Sequence, residues 1–324
     1  MTPIDVGAQS AGRPLAGVDL TELYRALSRG GLWLDVGAAT LQVRSDSRVL
    51  ARQLQQAYPA FPFVPHADWS DCQVRIARPA GLRRWARPQV ELFSDGRRPF
   101  DPFPADSPLP LFEWGCNWLI GQRLNHLLLL HAGVVERDGL ALVMPALPGS
   151  GKSTLTAALS QRGWRLLSDE FGAFDPEGGV FRAMLKPVAL KNQSIAVLRR
   201  FAPEARFGPE FPKTRKGKVA HLAALPEAVA RRHQPARPGA FVLPKWQAGS
   251  PTRLEPLPPN QLFPALAFNA FNYGVLGATA FKAVVGLVDR CPGWQLVYSD
   301  LDEALAAINA IWPHVQERHN KTAT

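Results

Sequence analysis

The hydrophobic positions in the first part of the chain predict alternating short strands and helices. Apolar and β-branched residues on either side of a glycine-containing turn predict a hairpin or two strands over 31–43, and further strands are expected at 72–77 and 90–93. A cap-type start and one apolar face predict a helix over 47–58. Apolar residues at helical spacings predict a longer helix from 108 to about 129, which we expect to join two parts of the chain.

The next segment predicts the order strand, glycine-rich loop, helix, strand. An uninterrupted apolar run predicts a buried strand over 139–145. After the loop, an inward apolar face predicts a helix over 153–162 that ends at Gly163. The apolar run that follows predicts a strand over 164–168.

The rest of the chain predicts further short elements. Residues 203–217 are rich in proline, glycine and basic residues without apolar periodicity, so we expect a mobile loop. The tail after residue 315 is expected to fray. The other expected elements are strands at 172–175, 180–185, 240–243, 252–254 and 295–298 and helices at 260–272, 275–288 and 301–311.

The composition indicates a folded globular protein, because 46% of its 324 residues are hydrophobic. The three cysteines, Cys72, Cys116 and Cys291, lack the spacing of a zinc site, so we expect reduced, buried thiols. The N-terminal residues lack the basic and apolar segments of a targeting signal, and no apolar run is long enough to cross a bilayer. We therefore expect a soluble, cytoplasmic protein without a membrane partner.

The formal net charge of +10 raises nucleic acid as a partner. The one dense basic stretch consists of Lys213, Arg215, Lys216 and Lys218, and it has no interleaved aromatic residues on which bases could stack. A site for nucleotide phosphates accounts for the same charge. The sequence therefore does not favour nucleic acid as a partner.

The loop at 146–153, Ala-Leu-Pro-Gly-Ser-Gly-Lys-Ser, matches the P-loop pattern at every constrained position except the first, where Ala146 replaces a glycine. Glycines allow such a loop to turn its backbone N–H groups toward phosphates, and the helix that follows points its positive dipole end at the anion. Lys152 would add a charge between the β- and γ-phosphates, and the Ser153 hydroxyl would bind Mg²⁺. The residues expected to bind the nucleotide are Ala146, Leu147, Pro148, Gly149, Ser150, Gly151, Lys152, Ser153 and Thr154.

The alternative is a flexible turn before an ordinary helix. The Lys-Ser pair at the required position, the apolar strand before the loop and the amphipathic helix after it favour phosphate binding instead. We therefore expect ATP and Mg²⁺ as cofactors.

An acidic pair, Asp169 and Glu170, ends the strand that follows the loop helix. The connection is short, so this strand is expected near the loop strand. One carboxylate could hold Mg²⁺ and one could accept the proton of an attacking hydroxyl, and the alternative is a solvated acidic pair at a strand end. His131 precedes the loop strand, and by itself it fits a core or surface histidine as well as a group that orients an acid.

The stretch from His131 to Glu170, HAGVVERDGLALVMPALPGSGKSTLTAALSQRGWRLLSDE, resembles the catalytic core of HPr kinase/phosphorylase, in which a histidine precedes the P-loop and an acidic pair follows its helix. The resemblance implies an ATP-dependent serine kinase with a fold related to phosphoenolpyruvate carboxykinase. It implies that Asp169 is the catalytic carboxylate, that Glu170 is a metal-associated acid, and that His131 holds Asp169 in place.

The whole chain is more similar to the HPr kinase-related kinases of peptide-modification gene clusters, which often occur beside a PqqD-like peptide chaperone. The implied architecture is α/β: a P-loop kinase domain of the HPr kinase and phosphoenolpyruvate carboxykinase-like type, with a mixed sheet, over 124–315. A smaller α+β module over 1–123 precedes it, and a flexible tail over 316–324 follows. Ala146, Thr154 and Glu170 depart from the residues usual in HPr kinase/phosphorylase, which are glycine, glutamate and aspartate.

The predicted function is transfer of the γ-phosphoryl group of ATP to a serine hydroxyl of a protein or peptide. Asp169, Lys152 and His131 are the expected catalytic residues, and Ser153, Asp169 and Glu170 are the expected metal ligands. A nucleotide-dependent switch or scaffold without phosphotransfer and a small-molecule kinase remain as alternatives. The oligomeric state is left open, a homo-oligomer included.

Basic and polar residues after the acidic pair are expected to line the same cleft, and their alternative is a set of solvated loops. They are Arg182, Lys186, Lys191 and Asn192.

Overall fold

The computed structural model describes residues 12–80, 88–214 and 217–322. Over these residues the protein is α/β, with ten α-helices and two mixed sheets beside a smaller antiparallel one. Arg215 and Lys216 of the basic stretch lie outside the described residues.

The first sheet is formed by the N-terminal part of the chain. Its strands, in spatial order, are β1 (Leu32–Asp35), β2 (Thr40–Ser45), β3 (Cys72–Ala77), β4 (Gln89–Phe93) and β5 (Phe103–Pro104). Only β2 and β3 run parallel among these pairs. The accompanying helices are a short 3-10 helix (Leu15–Gly17), α1 (Leu20–Arg29), α2 (Arg48–Ala57) and α3 (Pro108–Arg123).

Local sequence signals account for this part of the fold. The predicted hairpin is confirmed, with Leu32 opposite Val43. The predicted helix after residue 47 is confirmed as well, because the Ser47 hydroxyl accepts a hydrogen bond from Leu50 N at 3.2 Å and so caps α2.

The second sheet is larger and contains a parallel centre. Its order is β10-β9-β6-β7-β14-β16-β15, and β8 also pairs with β6. The strands β7, β14 and β16 are parallel neighbours, whereas β6 is antiparallel to β7, β8 and β9. Their bounds are β6 (Leu128–Arg137), β7 (Leu140–Pro145), β8 (Arg165–Ser168), β9 (Phe171–Asp175), β10 (Val180–Arg182), β14 (Arg237–Trp246), β15 (Arg253–Leu257) and β16 (Gly293–Tyr298).

A third, antiparallel sheet lies against α2 through one of its strands. Its order is β11 (Val188–Lys191), β13 (Gly217–Leu222), β12 (Phe207–Thr214). The remaining helices are α4 (Lys152–Ser160), α5 (Gln193–Phe201), α6 (Pro226–Ala230), α7 (Pro259–Phe268), α8 (Tyr273–Leu276), α9 (Ala278–Arg290) and α10 (Leu301–Thr322).

Three predictions of local structure are wrong. The helix predicted over 108–129 ends at Arg123, because the apolar run after it forms β6 in the middle of the second sheet. The predicted mobile loop over 203–217 contains β12, which pairs with β13. The predicted tail is helical through Thr322, because buried Trp312 and Val315 hold α10 past its proline.

One hydrophobic core connects the elements that carry the site. Buried residues of the first and second sheets belong to the same contiguous cluster. A buried ion pair between Glu113 of α3 and Lys186 also joins the two parts, with Nζ 3.0 Å from Oε2. None of the helices in the described ranges combines the length and the apolar character needed to cross a bilayer.

Candidate active site

The glycine loop, residues 146–151, leaves the end of β7 and leads directly into α4. The predicted order of strand, loop, helix and strand is confirmed. Gly149 has a φ of 88° and Gly151, the N-cap of α4, has a φ of 85°. Both values lie in the left-handed region that favours glycine. The backbone therefore favours glycine at both positions, and Gly151 is the glycine that precedes the lysine in the P-loop pattern.

Two strands beside β7 hold the glycine loop in place. The backbone N–H of Trp246, at the end of β14, donates to Ser150 O at 2.9 Å. The hydroxyl of Tyr298, at the end of β16, donates to Gly151 O at 3.1 Å. Because β7, β14 and β16 are parallel, their carboxyl ends meet at one edge, which is where ligands bind in open α/β sheets.

The strand β6 brings the acidic pair to the same edge. On one side of β6, Ala132 lies opposite Pro145, the residue before the glycine loop. On its other side, His131 lies opposite Phe171, the residue after the acidic pair. Asp169 and Glu170 therefore lie across a single strand from the start of the loop.

Lys152 and Asp169 are in direct contact. The ammonium group of Lys152 donates to the backbone carbonyl of Asp169 and lies 3.9 Å from its Oδ1 atom. Each side chain is only 7% exposed. Among the described residues, Asp169 Oδ1 has no hydrogen-bond donor. Such a buried carboxylate oxygen is available to a proton, a metal ion or a substrate hydroxyl.

The two acids differ in their electrostatic surroundings. Burial raises the pKa of Asp169 to about 6, against the opposing charge of Lys152. Burial also acts to raise the pKa of Glu170, but the positive charges of Lys152 and His131 leave this pKa below its usual value. Neighbouring acids whose pKa values are pushed apart are typical of acid–base sites.

His131 lies beside the acidic pair. When protonated it lowers the pKa of Glu170, and its ring packs edge-on against Phe271 with the ring centroids 5.6 Å apart. The structure therefore brings the histidine to the predicted catalytic residues. Its implied role of holding Asp169 stays a prediction.

The predicted metal ligands fit Mg²⁺ in their chemistry. Ser153, in the first turn of α4, forms a hydrogen bond that acts to lower the pKa of Asp169, so the hydroxyl and the carboxylate are neighbours. Hard oxygen donors are what Mg²⁺ prefers, and it usually takes only one or two carboxylates together with phosphate oxygens and water. No group of three or more His, Cys, Asp and Glu side chains in the described ranges could hold a metal ion.

A cavity of about 330 Å³ opens beside the acidic pair. The sequence analysis predicted two of its polar residues, Lys186 and Lys191, and missed Glu113, Asn117 and His221, because these three come from distant parts of the chain. The remaining polar lining residues outside the acidic pair are Glu113, Asn117, Ser168, Thr214 and His221, and the aromatic ones are Phe103, Trp114, Trp118, Phe171 and Phe271.

Two residues expected in the cleft have other partners and are not among the residues that line the cavity. The guanidinium of Arg182 pairs with Asp175 at 2.8 Å. The Asn192 side chain accepts a hydrogen bond from the backbone N–H of Lys218 at 3.1 Å, which joins β13 to the N-cap residue of α5.

Comparison of the chain with protein-family models and with curated proteins found no match. The function is therefore inferred from the residues of the site and from its geometry.

Proposed function

We propose that this protein binds MgATP at the glycine loop and transfers the γ-phosphoryl group to a hydroxyl, with a serine of a protein or peptide as the acceptor. The observation that carries the proposal is the contact between Lys152, the first residue of α4, and the buried Asp169, with Nζ 3.9 Å from Oδ1. A loop cation and an acid at one helix N-terminus are the parts that phosphoryl transfer needs.

The glycine loop and Lys152 would bind the triphosphate. Gly149 and Gly151 let backbone N–H groups approach the phosphate oxygens without a side chain in the way. Lys152 would supply positive charge where negative charge develops during transfer. Ser153, Asp169 and Glu170 would hold Mg²⁺, which supplies further neutralisation of the phosphate oxygens when bound.

Asp169 would act as the general base. Its carboxylate takes the proton of the acceptor hydroxyl while the acceptor oxygen forms a bond to the γ-phosphorus and the bond to the β-phosphate oxygen breaks, which releases ADP. Burial raises the pKa of Asp169 to about 6, so it is a stronger base than an exposed aspartate and is still ionised at neutral pH. The lowered pKa of Glu170 keeps that neighbour charged.

The resemblance of residues 131–170 to HPr kinase supports a P-loop kinase domain of that type for the second sheet. The similarity of the whole chain to the HPr kinase-related kinases of peptide-modification gene clusters supports a peptide acceptor, delivered with a PqqD-like chaperone. The register of β6 supports the kinase domain independently, because this strand brings His131, the glycine loop and the acidic pair to one edge of the sheet.

Labelling with γ-³²P-ATP tests the proposal. Purified protein with Mg²⁺ should transfer label to a partner in a lysate of the source cells. Asp169→Asn should lower transfer by about 10²–10⁴-fold with ATP binding retained, because it removes the base. Lys152→Ala should weaken the binding of a fluorescent ATP analogue, because it removes a phosphate contact.

The exposed residues Lys282 and Asp302 offer matched controls. Lys282→Ala and Asp302→Asn remove the same charges at positions that do not line the cavity and should leave transfer unchanged. Normal transfer by Asp169→Asn would exclude it as the base. ATP hydrolysis without any labelled acceptor would favour the nucleotide switch, and labelling confined to metabolites would favour a small-molecule kinase.

A further inference from the structure

The cavity beside the acidic pair is lined by two parts of the chain. The first part contains the first sheet and α1 to α3, and the second part begins at β6 and contains the other two sheets. One wall comes from the first part, with Trp114 and Trp118 of α3 and Phe103 of β5. Further aromatic lining comes from the second part, with Phe171 of β9 and Phe271 after α7. The cavity therefore requires both parts of the protein.

Trp114 and Trp118 are held in place by contacts with another aromatic ring. Trp114 stacks on Phe100 with ring centroids 5.0 Å apart, and Trp118 packs edge-on against the same ring at 5.6 Å. Trp114 nevertheless remains 36% exposed. Aromatic rings held by neighbours and still accessible form a preorganised surface for an apolar group.

The position of the cavity relates it to the proposed chemistry. Asp169 and Glu170 form part of its lining, together with Ser168. A group bound among the aromatic rings would therefore lie next to the proposed base. The volume of about 330 Å³ is at the lower end of the range for ligand sites, which suits a side chain with one neighbouring group or a small molecule.

The described lining has no excess of positive charge, because it contains three acids, Glu113, Asp169 and Glu170, and two lysines, Lys186 and Lys191. Lys186 pairs with Glu113 at 3.0 Å, and both side chains are nearly buried. The charge of Lys191 acts on both Asp169 and Glu170. Burial holds the pKa of His221 below its usual value, so its ring is neutral at physiological pH. An acidic acceptor would therefore gain little binding free energy in this cavity. An apolar acceptor would gain it by burying apolar surface against the aromatic rings of the lining.

We propose that this cavity is the acceptor site, and that it takes a hydroxyl whose neighbouring group is uncharged and aromatic or aliphatic. The inference rests on the proposed phosphotransfer. It assigns the first part of the chain a direct share in acceptor recognition through Trp114 and Trp118.

Two serine dipeptides serve as probes: acetyl-Phe-Ser-amide and acetyl-Asp-Ser-amide. With the full-length protein and MgATP, the phenylalanine dipeptide should be phosphorylated with a kcat/KM about tenfold or more above that of the aspartate dipeptide. Trp118→Ala should raise the KM for the phenylalanine dipeptide about tenfold with a smaller change in kcat, because it removes apolar contact with the acceptor. Trp118→Phe keeps a ring at this position and should recover most of the affinity.

Trp69→Ala is the matched control, because Trp69 is 59% exposed and is not among the residues that line the cavity. Binding of both dipeptides to the wild type without nucleotide, measured by saturation-transfer NMR, tests the cavity separately from catalysis. A wild type that fails to bind a fluorescent ATP analogue would reject the proposed function, whatever the dipeptides do.

Three results would overturn the acceptor site itself. They are no binding of the phenylalanine dipeptide, a preference for the aspartate dipeptide, and a Trp118→Ala protein that binds the phenylalanine dipeptide as tightly as the Trp69→Ala control does. Preference for the aspartate dipeptide would place acceptor recognition with the basic stretch around Lys218 instead.

Discussion

Two glycines of the loop share a backbone conformation and differ in their surroundings. Gly149 and Gly151 both have a φ near 90°. An added Cβ at Gly149 would have no atom of the described residues within 4 Å. At Gly151 it would overlap the Tyr298 hydroxyl and lie 2.9 Å from Trp246 Cβ. Alanine substitutions at these two glycines therefore separate the effect of backbone strain, which both share, from the effect of steric crowding, which only Gly151 has.

We predict that Gly151→Ala lowers the free energy of unfolding by about 1–3 kcal/mol more than Gly149→Ala, because overpacking adds to a strain that both share. Urea denaturation of both variants measures the difference. Gly151→Ala should also weaken ATP binding, since Tyr298 and Trp246 contact the loop. Equal losses in the two variants would show that crowding at Gly151 is relieved by small shifts.

At the level of elements, α3 is attached to the rest of the protein by buried polar contacts. Glu113 accepts hydrogen bonds from Lys186 and from the hydroxyl of Tyr58, and Lys186 also donates to Asn117. Burial acts to lower the pKa of Lys186, but Glu113 outweighs it and raises this pKa above its usual value. The helix that forms the aromatic wall is thus positioned by an ion pair across the two parts.

We predict that Glu113→Gln destabilises the protein by about 3 kcal/mol, because it leaves the buried Lys186 ammonium without its counter-charge. Glu22→Gln is the control, since its partner Arg13 is 61% exposed and such pairs contribute less than about 1 kcal/mol. Chemical denaturation at neutral pH measures both. A loss for Glu113→Gln no larger than the control would mean that water reaches Lys186.

At the scale of the whole molecule, a second polar contact joins β1 to the segment after α6. Asp35 accepts from Arg232 at 2.9 Å and lies 2.7 Å from His233 Nε2. Burial acts to raise the pKa of Asp35, but the bonds to His233 and Arg232 bring it below its ordinary value of 3.8. A carboxylate with a lowered pKa stabilises the fold above that ordinary value, and the contribution is lost as the pH falls through the lowered one.

We predict that Asp35→Asn costs about 1–3 kcal/mol of unfolding free energy at neutral pH, the range for hydrogen bonds to charged groups. The difference from wild type should shrink as the pH falls from 3.8 through the lowered pKa of Asp35, because the carboxylate is protonated first in the unfolded chain and then in the folded protein. Urea denaturation at neutral pH and at about pH 3 measures this. Asp68→Asn, at a side chain 93% exposed, is the control. A difference that is independent of pH would exclude the charge of Asp35 as its cause.

Most of the candidate site could be predicted from the sequence, because its residues are close together along the chain. The loop, Lys152 and the acidic pair lie on consecutive elements. Glu113, Trp114, Trp118 and His221 could not be predicted as cavity residues, because they come from elements before and after that segment. The only sequence signal for Glu113, Trp114 and Trp118 was a helix with two tryptophans, which fits a core helix equally well.

The sequence by itself determined the features that depend on neighbouring residues. One such feature is the cap of α2 by Ser47, and another is the order strand, loop, helix with left-handed glycines. A third is the turn at Asp95 and Gly96, where both residues have a positive φ. Such features follow from backbone sterics and from hydrogen bonds within a few residues.

Only the tertiary structure decided the features that need distant partners. Residues 128–137 became the strand between the loop and the acidic pair, and 207–214 became a strand, because pairing with neighbouring strands decided a conformation that the residue pattern of each segment did not identify. The last helix passes Pro313 because Trp312 packs on Trp164 with ring centroids 4.5 Å apart, and this burial offsets the hydrogen bond that proline cannot donate. Contacts between residues far apart in sequence thus set the partner strands, the length of the last helix and the aromatic wall.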